Sequence, residues 1–460
     1  MLMAQLAAAL LGSNTFIFRT VNFAQDFEDS NHRSAKYRSR APLTWAAQSG
    51  HREILELLLR KGSSPNEVDR GGKTPLSRAA MHGTAAVVET LVNHDANVNG
   101  ENIDGLTPLS QALMNGHGET ARILIKKGAR VNTGVNGGWT PLLLALNKNH
   151  EALARLLVHS GADINATTSV SGWTPLLLAL RNGYKALSIL LIEDGANIKS
   201  TTSHGWTPLL LASKGGSLAL IDLLVKLKAD INLPNQYGWT PLSLASENGH
   251  QPAVELLIKL GADINSSDQE GRTPLLLALY EGHEPMARML VQQGADVTYN
   301  NSLPLVLASK NGFYELVALM IQENANVNTE ISGGKTPLLV AIKRNDEKMV
   351  KLLIQSGARV NFSTTSSWPP LCMASQHGLL EMILLLIQNG AQVNAATRLG
   401  RTPLYIASRH GYEAAVRLLI FHGADIVARA EDGSTPLSEA TKSGHRKIAK
   451  LLLEEEEKMK

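Results

Sequence analysis

The chain has 460 residues, 44 basic against 41 acidic side chains, and one cysteine, Cys372. The near-balance argues against a dedicated nucleic-acid binder, which carries a strong basic surplus. A lone cysteine excludes an intramolecular disulfide and fits a reducing compartment, cytosol or nucleus. Hydrophobic residues make up 44% and aromatics only 5%, so the apolar content is mostly aliphatic and suits a long helical core. No apolar run approaches the ~20 residues of a spanning helix, so no membrane partner is expected.

Residues 1–39 show no repeat. Met1 to Gly12 is apolar and lacks the positive charge that opens a secretory signal, so no signal peptide is expected. Phe16, Phe18, Phe23 and Phe27 crowd into this segment. They are expected to cap the first repeat of the array that follows, since terminal repeats need cover; a docking peptide is the alternative. Arg33, Lys36, Arg38 and Arg40 form a sparse basic run, a weak import signal.

From residue 40 a period takes over. A proline in a T-P-L-like context recurs from Pro42 through Pro75, Pro108 and onward to Pro436, thirteen in all. Ten of the twelve spacings are 33, and the others are 34 and 30. One array over residues 40–453 is predicted, followed by a charged tail at 454–460. In the repeat around Gly238-Trp239-Thr240-Pro241-Leu242, Thr240 caps a helix and Pro241 fills its first turn, where its missing N–H has no helical partner. Gly249 ends that helix in the left-handed conformation. Pro252 then opens a second helix with Val254, Leu256, Leu257 and Leu260 as its apolar stripe. Gly261 stops it, and Ala262-Asp263-Ile264-Asn265 leads into an extended loop. A lone helix pair cannot bury both apolar faces, so neighbouring pairs must stack.

The period breaks in few places. Asp296 to Pro304 is three residues short and lacks the Gly and Thr of its counterparts; a truncated loop with an uncapped helix is expected there, either a flexible joint or simply a tolerated deletion. Asp95, Lys228 and Asn324 replace helix-ending glycines, and lysine tolerates the left-handed turn poorly. Four acids, Glu454 to Glu457, oppose the dipole of the last helix and should fray it.

No residue pattern supports catalysis, a metal or a cofactor. Gly71-Gly72-Lys73-Thr74 and Gly333-Gly334-Lys335-Thr336 lack the earlier glycine of a phosphate loop, and each Thr precedes a proline. His51, His117, His150, His250, His283 and His445 recur at one repeat position, as a structural residue would. Sequons at Asn165, Asn265 and Asn361 carry no meaning without a secretory route. Cys372 occupies an ordinary repeat position.

The G-x-T-P-L, G-H and G-A-D-I/V-N elements resemble ankyrin repeats over about 90% of the chain. The tandem G-W-T-P-L-L-L-A repeats are similar to long arrays of filamentous fungi. The resemblance implies an all-α fold, an ankyrin-repeat solenoid of about 13 helix–turn–helix repeats with short loop fingers. Such arrays usually carry His after T-P-L, tying adjacent loops by hydrogen bonds. Here that position holds Thr44, Ser77, Leu143, Val306, Cys372 or Tyr405 and the like, so those bonds are expected to be lost.

The resemblance also implies a non-catalytic protein that binds other proteins through a concave face. The residue between the loop Gly and T-P-L would lie on that face. It is Trp139, Trp173, Trp206, Trp239 and Trp368, five of the six tryptophans. Lys148, Arg181, Lys214, Lys343, Arg344 and Arg409 fall in other slots of the same face, with Lys310 and Lys442, against Glu247 and Glu281. Lys73, Arg272, Lys335 and Arg401 replace the tryptophan elsewhere. A basic and aromatic groove predicts an acidic, partly apolar, extended partner segment; packing of each indole on a neighbouring loop is the alternative role. A regulatory adaptor in nucleus or cytoplasm is expected, such as a transcription coregulator binding a transcription factor. The alternatives are a general scaffold or the ligand-sensing end of a larger NTPase-type receptor. Direct nucleic-acid binding is not expected.

Overall fold

The computed structural model describes residues 42–69, 71–362 and 368–459. The expectations for residues 1–39 lie outside these. Among the described residues are 26 helices and no strand beyond two isolated bridges. They form thirteen pairs, from Pro42–Ser49 with Arg52–Arg60 to Pro436–Lys442 with Arg446–Lys458. The chain divides into two compact units, residues 1–229 and 230–460. Within each, first helices of successive repeats pack side by side, and so do second helices.

The first helices are only about two turns long, so their ends decide whether they form. Ten begin on a threonine whose side-chain oxygen accepts the N–H three residues on, with proline at the first turn. Such a cap contributes about 1 kcal/mol. At Thr240 the bond is reciprocal, because Ser243 Oγ accepts the Thr240 N–H at 2.8 Å. The leucine after each proline is buried, as at Leu76, Leu109, Leu142, Leu176 and Leu209. In the second helix Gln251–Lys259 the buried face is Ala253, Val254 and Leu257. Leu256 and Leu260 are half-buried, so the stripe is narrower than predicted.

Helix ends behave as the glycine pattern requires. Gly249 has φ +74° and Gly261 φ +95°, and the substitutes Asp95, Lys228 and Asn324 take φ +64°, +67° and +65°. Asn149 and Asn345 also sit at positive φ where the first helix usually ends on glycine. Lysine has no side-chain group to stabilise this conformation locally, so Lys228 bears the strain.

Inter-repeat hydrogen bonds are not lost with the histidine. They are made by the asparagine of G-A-D-I/V-N. In the first unit, Asn132 Oδ1 accepts the Asp163 N–H at 2.7 Å while its Nδ2 donates to the Gly161 carbonyl at 3.0 Å. Asn66, Asn99 and Asn165 repeat this. In the second unit Asn328, Asn361 and Asn394 do so too. Asn232 and Asn265 accept from Asp263 and Asp296. The sequon asparagines Asn165, Asn265 and Asn361 are thus rungs of a ladder. Lys199, Thr298 and Val427 stand in the rung position elsewhere.

The shortened loop is not a loose joint. Asn300, Asn301 and Ser302 form a left-handed turn with φ +47°, +56° and +55°, a conformation that asparagine visits more readily than most residues. It is tied to the next repeat. Asn301 Nδ2 donates to the Glu330 carbonyl at 3.0 Å, Ser302 Oγ accepts the Asn326 N–H at 3.2 Å, and Thr329 Oγ1 donates to the Asn301 carbonyl.

The last helix extends through the acids to Lys458, with Lys450 3.7 Å from Glu454 and Lys458 2.6 Å from Glu455. These pairs bring positive charge among the acids, at a helix end that favours it.

Candidate functional site

The loop fingers that carry Trp139, Trp173, Trp206 and Trp239, like that of Arg272, are small hairpins closed by their own sequence. In each of these, the slot residue's carbonyl accepts an N–H from four or five residues earlier: Val135 to Trp139, Thr168 to Trp173, Thr202 to Trp206, Asn235 to Trp239 and Asp268 to Arg272, at 2.9–3.1 Å. Except at Val135, which has no side-chain acceptor, the same upstream residue accepts the slot N–H on its side chain. Thr168 Oγ1 does so for Trp173 at 2.9 Å, Thr202 Oγ1 for Trp206 at 3.1 Å and Asn235 Oδ1 for Trp239 at 3.1 Å. A glycine with positive φ, such as Gly172 or Gly238, makes the turn. At Gly238 an added Cβ would come within 2.8 Å of the Asp268 backbone in the next finger, so only glycine fits there. In the finger holding Gly333 and Gly334, both at positive φ, the Ile331 N–H donates to the Lys335 carbonyl at 3.0 Å. Thr336 caps the following helix. The glycine pair therefore belongs to the hairpin.

All five slot tryptophans are half-buried, so each both packs on the array and shows part of its ring. In the first unit the Arg181 guanidinium lies 4.6 Å from the Trp173 ring centre, and Lys214 Nζ 5.4 Å from that of Trp206. A cation over an indole face is attracted by the ring quadrupole. Trp139 and Lys148 flank a cleft of about 560 Å³ floored by Leu106, Met114 and Leu144, with Asp104 on its edge.

In the second unit Trp239 is covered by Arg272 at 4.9 Å, a residue of the next finger. Arg272 is not a free cation. Its Nε donates to buried Asp268 at 2.7 Å, and Glu270 lies 3.2 Å away. Burial opposes the charge of Arg272, but Asp268, Glu270 and Glu247 outweigh it and raise the pKa. Arg409, placed among the partner-binding cations, lies 3.8 Å from buried Glu439, and Lys442 lies 3.9 Å from the same carboxylate. That end of the basic row is therefore partly neutralised by an acid the slot pattern did not include. Lys343, Arg344, Lys310 and Lys335 line a cleft of about 580 Å³ walled by Trp368.

The residues that sequence reasoning missed are the acceptors behind the slot. Asp69 is the clearest. Its buried carboxylate accepts the N–H groups of Gly71 at 2.9 Å and Lys73 at 3.0 Å, and Arg78 Nε at 2.9 Å. Burial pushes its pKa up, but the Arg78 and backbone bonds prevail and hold it below 3.8. An Asp, Asn or Thr four or five residues before the slot is the signal.

The histidine slot is structural. His117 Nε2 is 3.0 Å from the Met81 carbonyl and His445 Nε2 3.1 Å from that of Arg409, each reaching the preceding repeat. Their rings fill the space beside Gly83 and Gly411, where a Cβ would come within 2.5 Å. Among the described residues no group of three or more His, Cys, Asp or Glu could hold a metal ion. Cys372 is buried and donates its S–H to the Ala395 carbonyl at 3.2 Å, and burial pushes its thiol pKa up to about 12. It stays protonated, the opposite of a nucleophilic cysteine. No helix among the described residues is long and apolar enough to cross a membrane.

A family model described as ankyrin repeats in three copies matches the chain at residues 5–102, 95–168, 166–235, 216–301, 305–397 and 371–460. No curated protein matches it.

Proposed function

The chain belongs to the ankyrin-repeat family, whose arrays bind other proteins, and from that premise we propose that its slot tryptophans and their cations take an acidic, partly apolar, extended segment of a partner. The observation that carries this reading is the pairing of Arg181 with Trp173 and of Lys214 with Trp206 in successive repeats. An extended chain alternating carboxylates and apolar side chains complements such a row, the carboxylates on the cations and the apolar groups beside the indole edges. A buried neutral thiol, histidines engaged in packing and hairpin glycines all support a non-catalytic role. We place the protein as a regulatory adaptor in nucleus or cytoplasm, of the kind a transcription coregulator is.

The test uses a labelled 15-residue peptide alternating Asp or Glu with Leu and Phe, titrated onto the full chain. The double variant Trp173→Ala/Trp206→Ala is expected to weaken binding at least tenfold. Wild-type affinity is expected to fall as salt rises, since exposed charge pairs are screened. An affinity indifferent to both changes would overturn the reading.

A further inference from the structure

The second unit contains a different kind of surface. Lys310, Lys335, Lys343 and Arg344 line one cleft of about 580 Å³, and no Asp or Glu lines it. They come from three places. Lys310 ends the helix of one repeat, Lys335 sits on the finger of the next, and Lys343 and Arg344 end the helix which that finger introduces. All four are exposed. None takes part in an ion pair among the described residues.

Three arginines elsewhere in the array are treated differently. Arg78, Arg272 and Arg409 each face a buried carboxylate of the chain. Four like charges gathered without an acid repel one another and lower stability, so an anion that enters the cleft gains from all four at once. The wall differs too. Trp368 packs on the cluster of Cys372, Tyr405 and Ile406, and no cation stacks on its ring among the described residues. Leu339, Val340 and Met373 supply apolar lining beside it.

The arrangement selects among anions. Carboxylates on one face of an extended chain are single charges roughly 7 Å apart, which suits a row of cations at one per repeat. Cations converging on one cleft suit a compact group of higher charge. A phosphoryl group carries about −1.5 to −2 charges on three acceptor oxygens and meets several donors from one point. The volume lies within the usual range of a ligand pocket, roughly 300–1,000 Å³, and exceeds what the phosphoryl group alone would fill. The indole and the apolar lining are left for a neighbouring side chain.

We propose that the cleft between Lys310, Lys335, Lys343, Arg344 and Trp368 is a docking site for a phosphorylated side chain of a partner segment, with an apolar residue next to it held against Trp368. The proposal rests on the reading of the array as a protein-binding module and adds a switch to it: phosphorylation of the partner makes it a ligand for the second unit.

The experiment uses the full chain and three pools of 11-residue peptides with degenerate flanks, fixed at the centre as phosphoserine, glutamate or serine. Captured peptides are sequenced, and the best phosphoserine peptide is resynthesised in all three forms and titrated. The phosphoserine form is expected to bind at least tenfold more tightly than either other form, with an apolar residue enriched beside the phosphoserine. Lys343→Glu/Arg344→Glu is expected to remove at least tenfold of that affinity. Lys310→Gln, an exposed single change, gives a smaller loss and keeps the test informative if the double variant misfolds. Trp173→Ala/Trp206→Ala should leave phosphopeptide binding unchanged. Equal affinity for the glutamate form, equal binding of inorganic phosphate, or insensitivity to both cleft variants would overturn the proposal. Those failures are separable from failure of the first-unit reading, because the alternating acidic peptide and the tryptophan variant test that reading alone.

Discussion

Fingers closed by a neutral acceptor and fingers closed by a carboxylate hold their slot residues with different chemistry, and each unit has both kinds. Around Trp173 and Trp206 the acceptor is a threonine hydroxyl, and the cation on each indole comes from the end of the helix that follows the same finger. Around Arg272 the acceptor is a buried carboxylate, which also binds the guanidinium that covers Trp239. Arg181 and Lys214 are placed against an indole face, whereas Arg272 is also bonded to a buried carboxylate that ties it to the fold. The two arrangements look alike in sequence, a tryptophan and a nearby basic residue, yet only the second sets a buried carboxylate beside the cation.

The most direct way to break this comparison is to remove the acceptor in each. Asp268→Ala leaves Arg272 without its bonded partner and the Glu270 and Arg272 N–H groups without an acceptor side chain. It is expected to lower the local stability of its finger by about 3 kcal/mol. Thr202→Ala removes one neutral acceptor and should cost about 1 kcal/mol. Amide exchange at Arg272 and Trp206 reads both changes, and equal losses would show that the carboxylate plays no greater structural part than the hydroxyl.

A second test uses pH on the other carboxylate finger, that of Asp69. Its folded pKa is lowered below 3.8, so the stability it contributes is fully present above that value. It is lost as pH falls through the lower, folded pKa. At pH 7 the Asp69→Asn chain should be less stable by about 2 kcal/mol, with the difference shrinking towards zero in acid below pH 3.8. Urea unfolding at several pH values measures it, and a gap independent of pH would show that the charge of Asp69 is irrelevant. The smallest effect lies at the helix ends, where the first unit has Lys228 and the second Asn324 in the same conformation. Lys228→Gly should stabilise its unit by about 1 kcal/mol and Asn324→Gly by less than half of that. Equal gains in thermal unfolding would contradict the side-chain argument.

What was legible in the sequence was local. A threonine cap reaches three residues ahead, and a left-handed helix end depends on one residue, so Thr240, Gly249 and Lys228 could be placed from the chain alone. The asparagine rungs were not legible, because Asn132 reaches the Asp163 N–H thirty-one residues on, by a path that exists only after stacking. The basic row was read correctly as residue types but not as charges. Glu439 lies outside the slots compared, and its burial beside Arg409 appears only in the fold. The four cations around Trp368 were each named from the repeat register. Their convergence was not, since it joins a helix end, a finger and the next helix end.

The asparagine ladder has a consequence for how such a gene can change length. Each rung spans one repeat boundary, with an acceptor on one side and a backbone donor 31 residues later, or 32 at Asn165. Excising or duplicating a whole 33-residue block brings an identical acceptor against an identical donor, and the ladder closes again. A single extra residue is taken up by the finger between rungs, as between Asn165 and Asn197, where the rung still closes at 2.8 Å. The side chain thus fixes how neighbouring repeats stack, while the finger loop absorbs a small difference in length. At the one boundary where the spacing is 30, the rung position holds Thr298 and no asparagine.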